Sequence, residues 1–485
     1  MRTNTRLAML ALPAALLSAW IGASAVTAAT LPDTPKENAN GTSLTTSAQG
    51  GIDNANPFFK PMGNGRSCAS CHSENAGWSV TPNDLQQRFL QSSGNDAVFR
   101  LVDGANSPRA AVGTIDQKRL AYSMLLTKGV IRVGIPMPAN ADFSLVRVDD
   151  PYGHASAAEL SLFRRPLPSA NLKFLSTVMW DARETIPSAT GPNCILGANP
   201  ARCFASIDTG LLRQASDAVR GHAEAAQELS AAEQRAIVDF ESSLTAAQIT
   251  SRTAGVLTEA GGRGGPAALA ATTFYWGIND FQNGDYRTRA AFNRNAMTLF
   301  GAWRNLATPQ AAAPGPGRRA PAPARAASSG DQAKASIARG EALFNNRPIN
   351  ATNTAGFAQG PQRATCSSCH NAPNAGSHSI TRLIDIGVSD VRFRTPDMPL
   401  YTLRNNATGQ QLQTTDPGLA MQTGRWTDIG KFKVPTLRNL SARPPYFHNG
   451  SQPDLAGVVR FYDRRFQMGL NQQEITDLAN FLGAL

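Results

Sequence analysis

The sequence contains little that would mark a membrane protein or a nucleic-acid-binding protein. After an apolar run near the N-terminus, no stretch approaches the roughly 18 consecutive apolar residues that a spanning helix needs, so we expect no membrane anchor in the mature chain. No cluster of Lys and Arg with interleaved aromatic residues is present, which argues against nucleic acid as a partner. Alternating apolar and polar runs typical of strands are scarce, and a mainly α fold is therefore predicted.

The N-terminus has the pattern of a secretory signal peptide. Arg2 and Arg6 precede an apolar run over 7–21, and small residues suitable for cleavage follow. We interpret residues 1–29 as this signal and expect a periplasmic protein. The formal net charge of +11 loses two arginines with the signal, and the mildly basic remainder suits brief contact with acidic partners.

Cysteine is rare, and four of the six cysteines fall into two copies of one short motif. Cys-x-x-Cys-His occurs at Cys68, Cys71 and His72, and again at Cys366, Cys369 and His370. The spacing is the attachment signature of c-type haem, in which both thiols form thioethers with the porphyrin and the histidine binds its iron. The alternatives are a structural zinc site, which needs four close ligands where each copy offers three, or a disulfide beside an unrelated histidine. We predict two covalently bound haems.

Composition divides the 485 residues into parts that are each long enough for a core. Residues 308–333 are rich in Ala, Pro, Gly, Arg and Ser, which is typical of a linker. We therefore expect an N-terminal haem domain with an insertion over 30–307 and a C-terminal haem domain over 334–485. Both are predicted to be cytochrome c-like.

Capping patterns indicate where several helices begin. Ser230 and Glu233 form a capping box ahead of an apolar pattern with helical spacing. Another helix is predicted over 293–306. Two helices are predicted to close the chain, and the last of them begins at Asn471 with Glu474 three residues on.

Two further features have simple interpretations. Cys194 and Cys203 flank a loop, and in an oxidising compartment we expect them to form a disulfide; a pair of redox-active thiols is the alternative. Residues 279–285 carry oxygen ligands of the kind that calcium prefers, but without the full spacing of an EF-hand. An ordinary loop is favoured there, with calcium as a possible cofactor.

Longer motifs resemble the bacterial di-haem cytochrome c peroxidase and MauG family. Residues 433–439 read Lys-Val-Pro-Thr-Leu-Arg-Asn, and residues 444–451 read Pro-Pro-Tyr-Phe-His-Asn-Gly-Ser. In the first half, Arg-Arg-Pro at 164–166 and Asn171 precede Met-Trp-Asp-Ala-Arg at 179–183. The resemblance implies an N-terminal haem at which peroxide reacts and a C-terminal haem that handles electrons.

The same resemblance suggests the sixth ligand of the C-terminal iron. Where the peroxidases have a methionine and MauG-like proteins a tyrosine, this sequence has Tyr462. A phenolate is a hard anionic donor that stabilises high oxidation states. Met468 and His448 are rival ligands, and a buried core tyrosine without a ligand role is the other interpretation.

On the peroxide side, the family places a glutamine and, ten residues later, a catalytic glutamate over the iron. Gln214 and Glu224 keep this spacing, although the family's proline between them is replaced by Asp217 and Ala218. A base is needed there to move a proton between the two peroxide oxygens. His222 can serve as that base instead, and a solvated helix face is the alternative for all of these residues.

Trp180 matches a family tryptophan near the peroxidatic haem, where it can carry electrons between the irons or simply pack against a porphyrin. The family tryptophan through which MauG oxidises its protein substrate is replaced by Ala364. This departure argues against a large protein substrate reached by that route. Residues 80–160 have no counterpart in the short peroxidases.

These features together predict an exported, MauG-like di-haem oxidoreductase. It would use hydrogen peroxide at the N-terminal haem and receive electrons from a small redox protein or another donor through the C-terminal haem. A non-enzymatic electron carrier is one alternative, favoured if His154 or His222 is a strong distal ligand. A dioxygen-dependent oxygenase similar to the rubber-cleaving enzymes is the other alternative, and an apolar channel leading to the haem would favour it.

Overall fold

Helices and antiparallel sheets both contribute to the fold. The computed structural model describes residues 30–31, 33–185, 200–308, 326–357 and 364–485, with side chains from 207 onward in the third range. Three predictions fall on residues outside the described part of the chain: the signal peptide over 1–29, the disulfide between Cys194 and Cys203, and most of the linker over 308–333. The disulfide and the signal peptide therefore stay predictions.

The helices are α1 (Pro82–Ser92), α2 (Ile115–Ala121), α3 (Ser123–Lys128), α4 (Pro200–Gly221), α5 (Ala231–Ser243), α6 (Gly265–Ala270), α7 (Ser329–Asn346), α8 (Cys366–Cys369), α9 (Ala420–Thr423), α10 (Leu455–Phe466) and α11 (Gln472–Gly483). The strands are β1 (Thr30–Leu31), β2 (Lys36–Asn38), β3 (Gly41–Ser47), β4 (Ile52–Asp53), β5 (Ile131–Ile135), β6 (Phe143–Asp149), β7 (Leu160–Arg164), β8 (Leu244–Ser251), β9 (Gly255–Val256), β10 (Leu400–Asn405) and β11 (Gln411–Thr414).

The strands form small antiparallel sheets, in the orders β1-β4, β2-β3-β8-β9, β5-β7 and β6-β10-β11. The structure is 33% helical and 16% strand. The prediction of a mainly α fold is therefore corrected to a mixed fold. Strand β7 is buried at all five positions, and β8 is buried at its first five. Strands with no solvent-exposed face need not alternate apolar and polar residues, so the sequence pattern does not reveal them.

The capping patterns located helix starts correctly. Ser230 Oγ accepts from the backbone N–H of Glu233 at 3.2 Å, and the Glu233 carboxylate accepts from Ser230 N at 3.0 Å. Asn471 and Glu474 make the same reciprocal pair at the start of α11. Both predicted helices are confirmed, because each box satisfies backbone donors that the first helical turn leaves free.

The predicted helix over 293–306 is wrong. Apart from one tight turn at Gly301–Trp303, this segment is irregular. Its backbone donors are taken by distant side chains: the Glu341 carboxylate accepts from Leu299 N and Phe300 N, and Asn345 Oδ1 accepts from Met297 N at 3.2 Å. Helical hydrogen bonds would require the same donors.

Residues 80–160, predicted to be an insertion, fold around their own small core. Helices α1 and α3 enclose buried side chains that include Leu85, Phe89 and Leu125. Strand β6 then pairs with β10 of the C-terminal half, with Asp149 opposite Leu400. The insertion therefore joins both halves of the chain.

The largest core lies where α7, α10 and α11 pack together. Helix α7 approaches α11 so closely at Gly340 that an added Cβ would lie 2.0 Å from the Asp477 carbonyl oxygen. Asp477 in turn accepts from Ser336 Oγ at 2.6 Å and pairs with Arg339. This helix group forms one wall of the second motif's surroundings.

The two predicted haem domains are in contact. Arg165 N donates to the His448 carbonyl at 2.6 Å, and Asn40 Nδ2 donates to Ser441 Oγ at 2.9 Å. Helix α7 begins at Ser329, inside the predicted linker, and the domain limits stay a prediction. None of the helices in the described ranges is long and apolar enough to cross a membrane.

Candidate haem sites

Each Cys-x-x-Cys-His motif is held in a tight turn by its own hydroxyl groups. Ser67 N donates to Ser70 Oγ at 3.0 Å, and Thr365 N donates to Ser368 Oγ at 3.0 Å. These are capping boxes, with Ser or Thr before the first cysteine and Ser three residues on. The same local sequence therefore gives both motifs the same local geometry.

Each motif opens into a large cavity that borders both of its thiols and its histidine. The cavity at the first motif is about 1280 Å³ and that at the second about 1510 Å³, including their open mouths. The four thiols are unpaired, as thioether formation requires. Space and chemistry both suit a haem attached at each motif.

The two histidines are oriented as iron ligands. His72 Nδ1 donates to the Trp78 carbonyl at 3.1 Å, and His370 Nδ1 donates to the Gly376 carbonyl at 2.5 Å. These bonds fix the tautomer and leave Nε2 as the free nitrogen, a common arrangement around metal-binding histidine. Burial lowers the pKa of each ring to about 4, so both are neutral, the form that binds metals.

Buried cations line the cavities without carboxylate partners. Arg165 and Lys433 border both cavities, and Arg443 borders the second. Burial lowers the pKa of Arg165 to about 9, of Lys433 to about 7 and of Arg443 to about 10. Arg443 Nε is buried without a hydrogen-bond partner. Unpaired buried cations are costly, and the propionates of a haem are anions suited to compensate them. The residues present fit the cofactor.

Trp180 stands in the wall that the two cavities share. Its Nε1 donates to the Arg165 carbonyl at 2.8 Å, and its ring lies edge-on to His448, with centroids 6.2 Å apart. Both cavities are lined by Arg165, Pro166, Leu167, Pro168, Trp180 and Lys433. An aromatic ring therefore lies between the candidate haem sites.

A buried ion cluster fixes the position of this wall. Arg164 Nη1 lies 2.6 Å from Asp181 Oδ2, and its Nε lies 2.7 Å from Asp416 Oδ2, with all three side chains at most 2% exposed. Burial raises the pKa of Asp181, but Arg164 and Arg183 outweigh burial and lower it to about 2. Because Asp181 follows Trp180 directly, the cluster anchors the tryptophan to the C-terminal half.

The three candidate sixth ligands of the second iron all border its cavity: Tyr462, Met468 and His448. No hydrogen bond from the described residues reaches the Tyr462 hydroxyl, which leaves its oxygen available. His448 instead stacks on Phe432, with centroids 4.0 Å apart, and its Nε2 lies 3.9 Å from Asp416 Oδ2. The surroundings favour Tyr462 over His448.

The candidate distal residues of the first cavity do not all lie together. Gln214 and His222 line the cavity. Glu224 does not line it: the residue is exposed, and its Oε2 accepts from Asn64 Nδ2 at 2.8 Å. His154 lines neither cavity.

Sequence reasoning missed two buried charged residues in this cavity, Arg66 and Asp103. Asp103 lies in the insertion and has no motif around it, so only its contact with His222 Nδ1, at 2.5 Å, identifies it. Glu241 was also missed; burial raises its pKa to about 7. These residues join the cavity from separate parts of the chain.

In the loop over 279–285, the carboxylate oxygens of Asp280 face other side chains. Asp280 Oδ2 accepts from Asn283 Nδ2 at 2.8 Å, and its other oxygen lies 3.5 Å from Arg382 Nη1. Within the described ranges, no group of three or more His, Cys, Asp or Glu side chains is arranged to hold a metal ion.

Comparisons with known proteins identify relatives. Cytochrome-c peroxidase IdrP1 of Denitromonas iodatirespirans is 33% identical over 150 residues, which cover 27% of this chain and 39% of that relative. Methylamine utilization protein MauG of Paracoccus denitrificans is 31% identical over 78 residues, covering 16% and 20% of the two chains. A solved structure of a MauG-like protein associated with microbial copper homeostasis covers 88% of this chain, at 14% identity and a TM-score of 0.34.

No family model matches the chain. The matched segments span less than half the length of the two relatives, so similarity alone does not transfer their activities or substrates. The sequence similarity nevertheless agrees with the family that the motifs indicate. Over the matched segments, the chain is similar to bacterial cytochrome-c peroxidases and to MauG.

Proposed function

We propose that this protein is an exported di-haem c-type oxidoreductase in which hydrogen peroxide reacts at the first haem and electrons pass through the second. The observation that carries the proposal is a difference between the two cavities. The first is lined by Gln214, whose amide can form a hydrogen bond with a bound ligand, and by His222, whose imidazole can move a proton. The second presents Tyr462 and Met468, which can close the coordination of an iron.

The cofactors would be held by the residues of the two motifs. Cys68 and Cys71 would attach the first haem, with His72 as its proximal ligand. Cys366, Cys369 and His370 would do the same for the second. When bound, the haems supply the iron that binds peroxide and the electrons that its O–O bond takes up. Tyr462 is the proposed sixth ligand of the second iron.

Trp180 supports an electron path between the two sites, since it borders both cavities and is fixed by hydrogen bonding at Nε1. The name of one relative, a cytochrome-c peroxidase, agrees with peroxide chemistry and with a small redox protein as partner. The proposal includes a signal peptide over 1–29, periplasmic location, and two haem domains separated by residues 308–333.

Peroxide consumption tests this function. The purified protein, with both haems attached, is mixed with hydrogen peroxide in the fully oxidised and in the half-reduced state. We expect the wild type to consume peroxide and His72→Ala, with its haem still held by both thioethers, to lose that reaction. His154→Ala, which lies outside both cavities, is the matched control and should behave as the wild type. A wild type that leaves peroxide unchanged in both states would refute the peroxide function and leave the electron carrier and the dioxygen-dependent oxygenase as the candidates.

A further inference from the structure

The side chain of His222 is held by a buried carboxylate. Its Nδ1 lies 2.5 Å from Asp103 Oδ2, and Asp103 is 4% exposed. An ionised carboxylate can only accept, so Nδ1 of the neutral ring carries the hydrogen. Nε2 is then the basic nitrogen of a ring that lines the first haem cavity. This is the pairing of an acid–base histidine with a group that orients it.

Arg66 keeps Asp103 ionised and holds both side chains in place. Its Nη1 lies 2.5 Å from Asp103 Oδ1 and also donates to the His222 carbonyl at 3.0 Å. Its Nη2 donates to the Val98 carbonyl at 2.7 Å. Burial raises the pKa of Asp103, but the hydrogen bond from His222 and the charge of Arg66 outweigh burial and lower it overall. Arg66 lies two residues before Cys68, so the contacts that hold Asp103 and His222 are linked directly to the haem motif.

The insertion over 80–160 supplies this part of the cavity. Asp103 belongs to it, and so do Ile131 and Val133 of β5, which line the same cavity. The Asp103 carbonyl accepts from Arg132 N at 2.7 Å, which links the loop to β5. The predicted insertion therefore completes the part of the cavity wall beside His222.

Glu224 is placed differently. It lies just beyond the end of α4 with φ at +50°, is exposed, and binds Asn64 rather than facing the cavity. Its spacing from Gln214 matches the family pattern, but its side chain does not share the cavity with Gln214.

We infer that His222, and not Glu224, is the acid–base residue at the first haem, and that Asp103 of the insertion is its positioning residue. In this role His222 would take the proton from one peroxide oxygen and give it to the other, so that the O–O bond breaks and the protonated oxygen leaves as water. The haem site would supply the two electrons for this cleavage, and the other oxygen would leave as a second water once an external donor returns two electrons and two protons are taken up from solvent. The inference rests on the proposed peroxide function.

Two rate constants test the assignment in the protein with both haems attached: reaction with peroxide, and association of cyanide with the ferric first haem. Hydrogen cyanide must also lose a proton to bind as an anion, and this needs no peroxide turnover. We expect His222→Gln to lower both by about 100-fold or more. Asp103→Asn should lower both by about 10- to 100-fold. Glu224→Gln should leave both unchanged.

A double-mutant cycle separates positioning from a merely structural role. If Asp103 acts through the histidine, Asp103→Asn should have little further effect in the His222→Gln background. Equal effects of Asp103→Asn in both backgrounds would overturn its positioning role.

Three other outcomes are decisive. Loss of either rate in Glu224→Gln but not in His222→Gln would overturn the assignment. Conversion of a low-spin first haem to high spin by His222→Gln would also overturn it, because His222 would then be an iron ligand. The expected cyanide pattern in a protein that does not consume peroxide would support the pair while refuting the peroxide function.

Discussion

Single side chains distinguish the two candidate haem sites. The first cavity combines the imidazole of His222 with the carboxylate of Asp103, and the second offers the phenol of Tyr462. A phenolate donor to the second iron would stabilise its oxidised state, whereas a thioether from Met468 would favour the reduced state. The identity of this one ligand therefore sets how the second site exchanges electrons.

Replacing Tyr462 by Phe tests the ligand. We expect changed optical and EPR spectra of the second haem and a reduction potential altered by about 100 mV or more, within the roughly 0.8 V that axial ligands span. Tyr446→Phe is the matched control, because Tyr446 borders the same cavity but its hydroxyl donates to the Leu440 carbonyl at 3.1 Å. Spectra of Tyr462→Phe that equal those of the wild type would exclude the phenolate.

At the scale of elements, irregular segments depend on side chains that lie far along the chain. The 293–306 segment has no helix because Glu341 in α7 accepts from Leu299 N and Phe300 N. Glu341 is 4% exposed, so these amides have no water to replace it. The contact joins α7, beside the second haem cavity, to the chain that precedes it.

Removing this carboxylate should cost stability. Glu341→Ala leaves two buried donors without a partner, and we expect a loss of about 3 kcal/mol in the free energy of unfolding, measured by urea denaturation. Glu228→Ala is the control, since Glu228 is 69% exposed and only pairs with Arg220 at the surface. A loss no larger than the control's would mean that these amides find other acceptors.

A comparison of the 293–306 segment with the capped helices shows which elements can be predicted from sequence. Helices that carry their own capping residues, such as those begun by Ser230 and Asn471, were predictable because donor and acceptor lie three residues apart. The two Cys-x-x-Cys-His motifs could be recognised for a related reason, since all their residues lie in one short stretch of sequence. The 293–306 segment was not, because its acceptors lie more than 40 residues away in sequence.

At the scale of the whole molecule, the two halves meet through buried charge. Arg164 binds Asp181 of the first half and Asp416 of the second, beside Trp180. Sequence patterns predicted the importance of Trp180 but not the partner Asp416, and they missed Asp103 for the same reason. Each pairing joins residues more than 100 apart in sequence, and no local pattern records such a contact.

Asp181→Asn should weaken this contact in a pH-dependent manner. We expect a loss of about 3 kcal/mol near pH 7, because Arg164 loses one of its buried counter-ions. Burial opposes ionisation, but Arg164 and Arg183 lower the pKa of Asp181 to about 2, below its unfolded value of about 3.9. The contribution is therefore full above about pH 4 and decreases as the pH falls toward 2.

Urea denaturation near pH 7 and near pH 3 measures this effect, and the loss should be smaller at the lower pH. Asp239→Asn, at an exposed ion pair with Arg235, is the control and should change stability little at either pH. An equal loss for Asp181→Asn at both pH values would contradict a role for its charge.

The measurement to make first is the EPR spectrum of the purified, oxidised protein before and after one equivalent of hydrogen peroxide. An open first haem, with His72 below and His222 unligated nearby, predicts a high-spin ferric signal that peroxide removes. The second haem, with His370 and Tyr462, predicts a separate low-spin signal. Two low-spin signals that peroxide leaves unchanged, in both the oxidised and the half-reduced protein, would contradict the peroxide function.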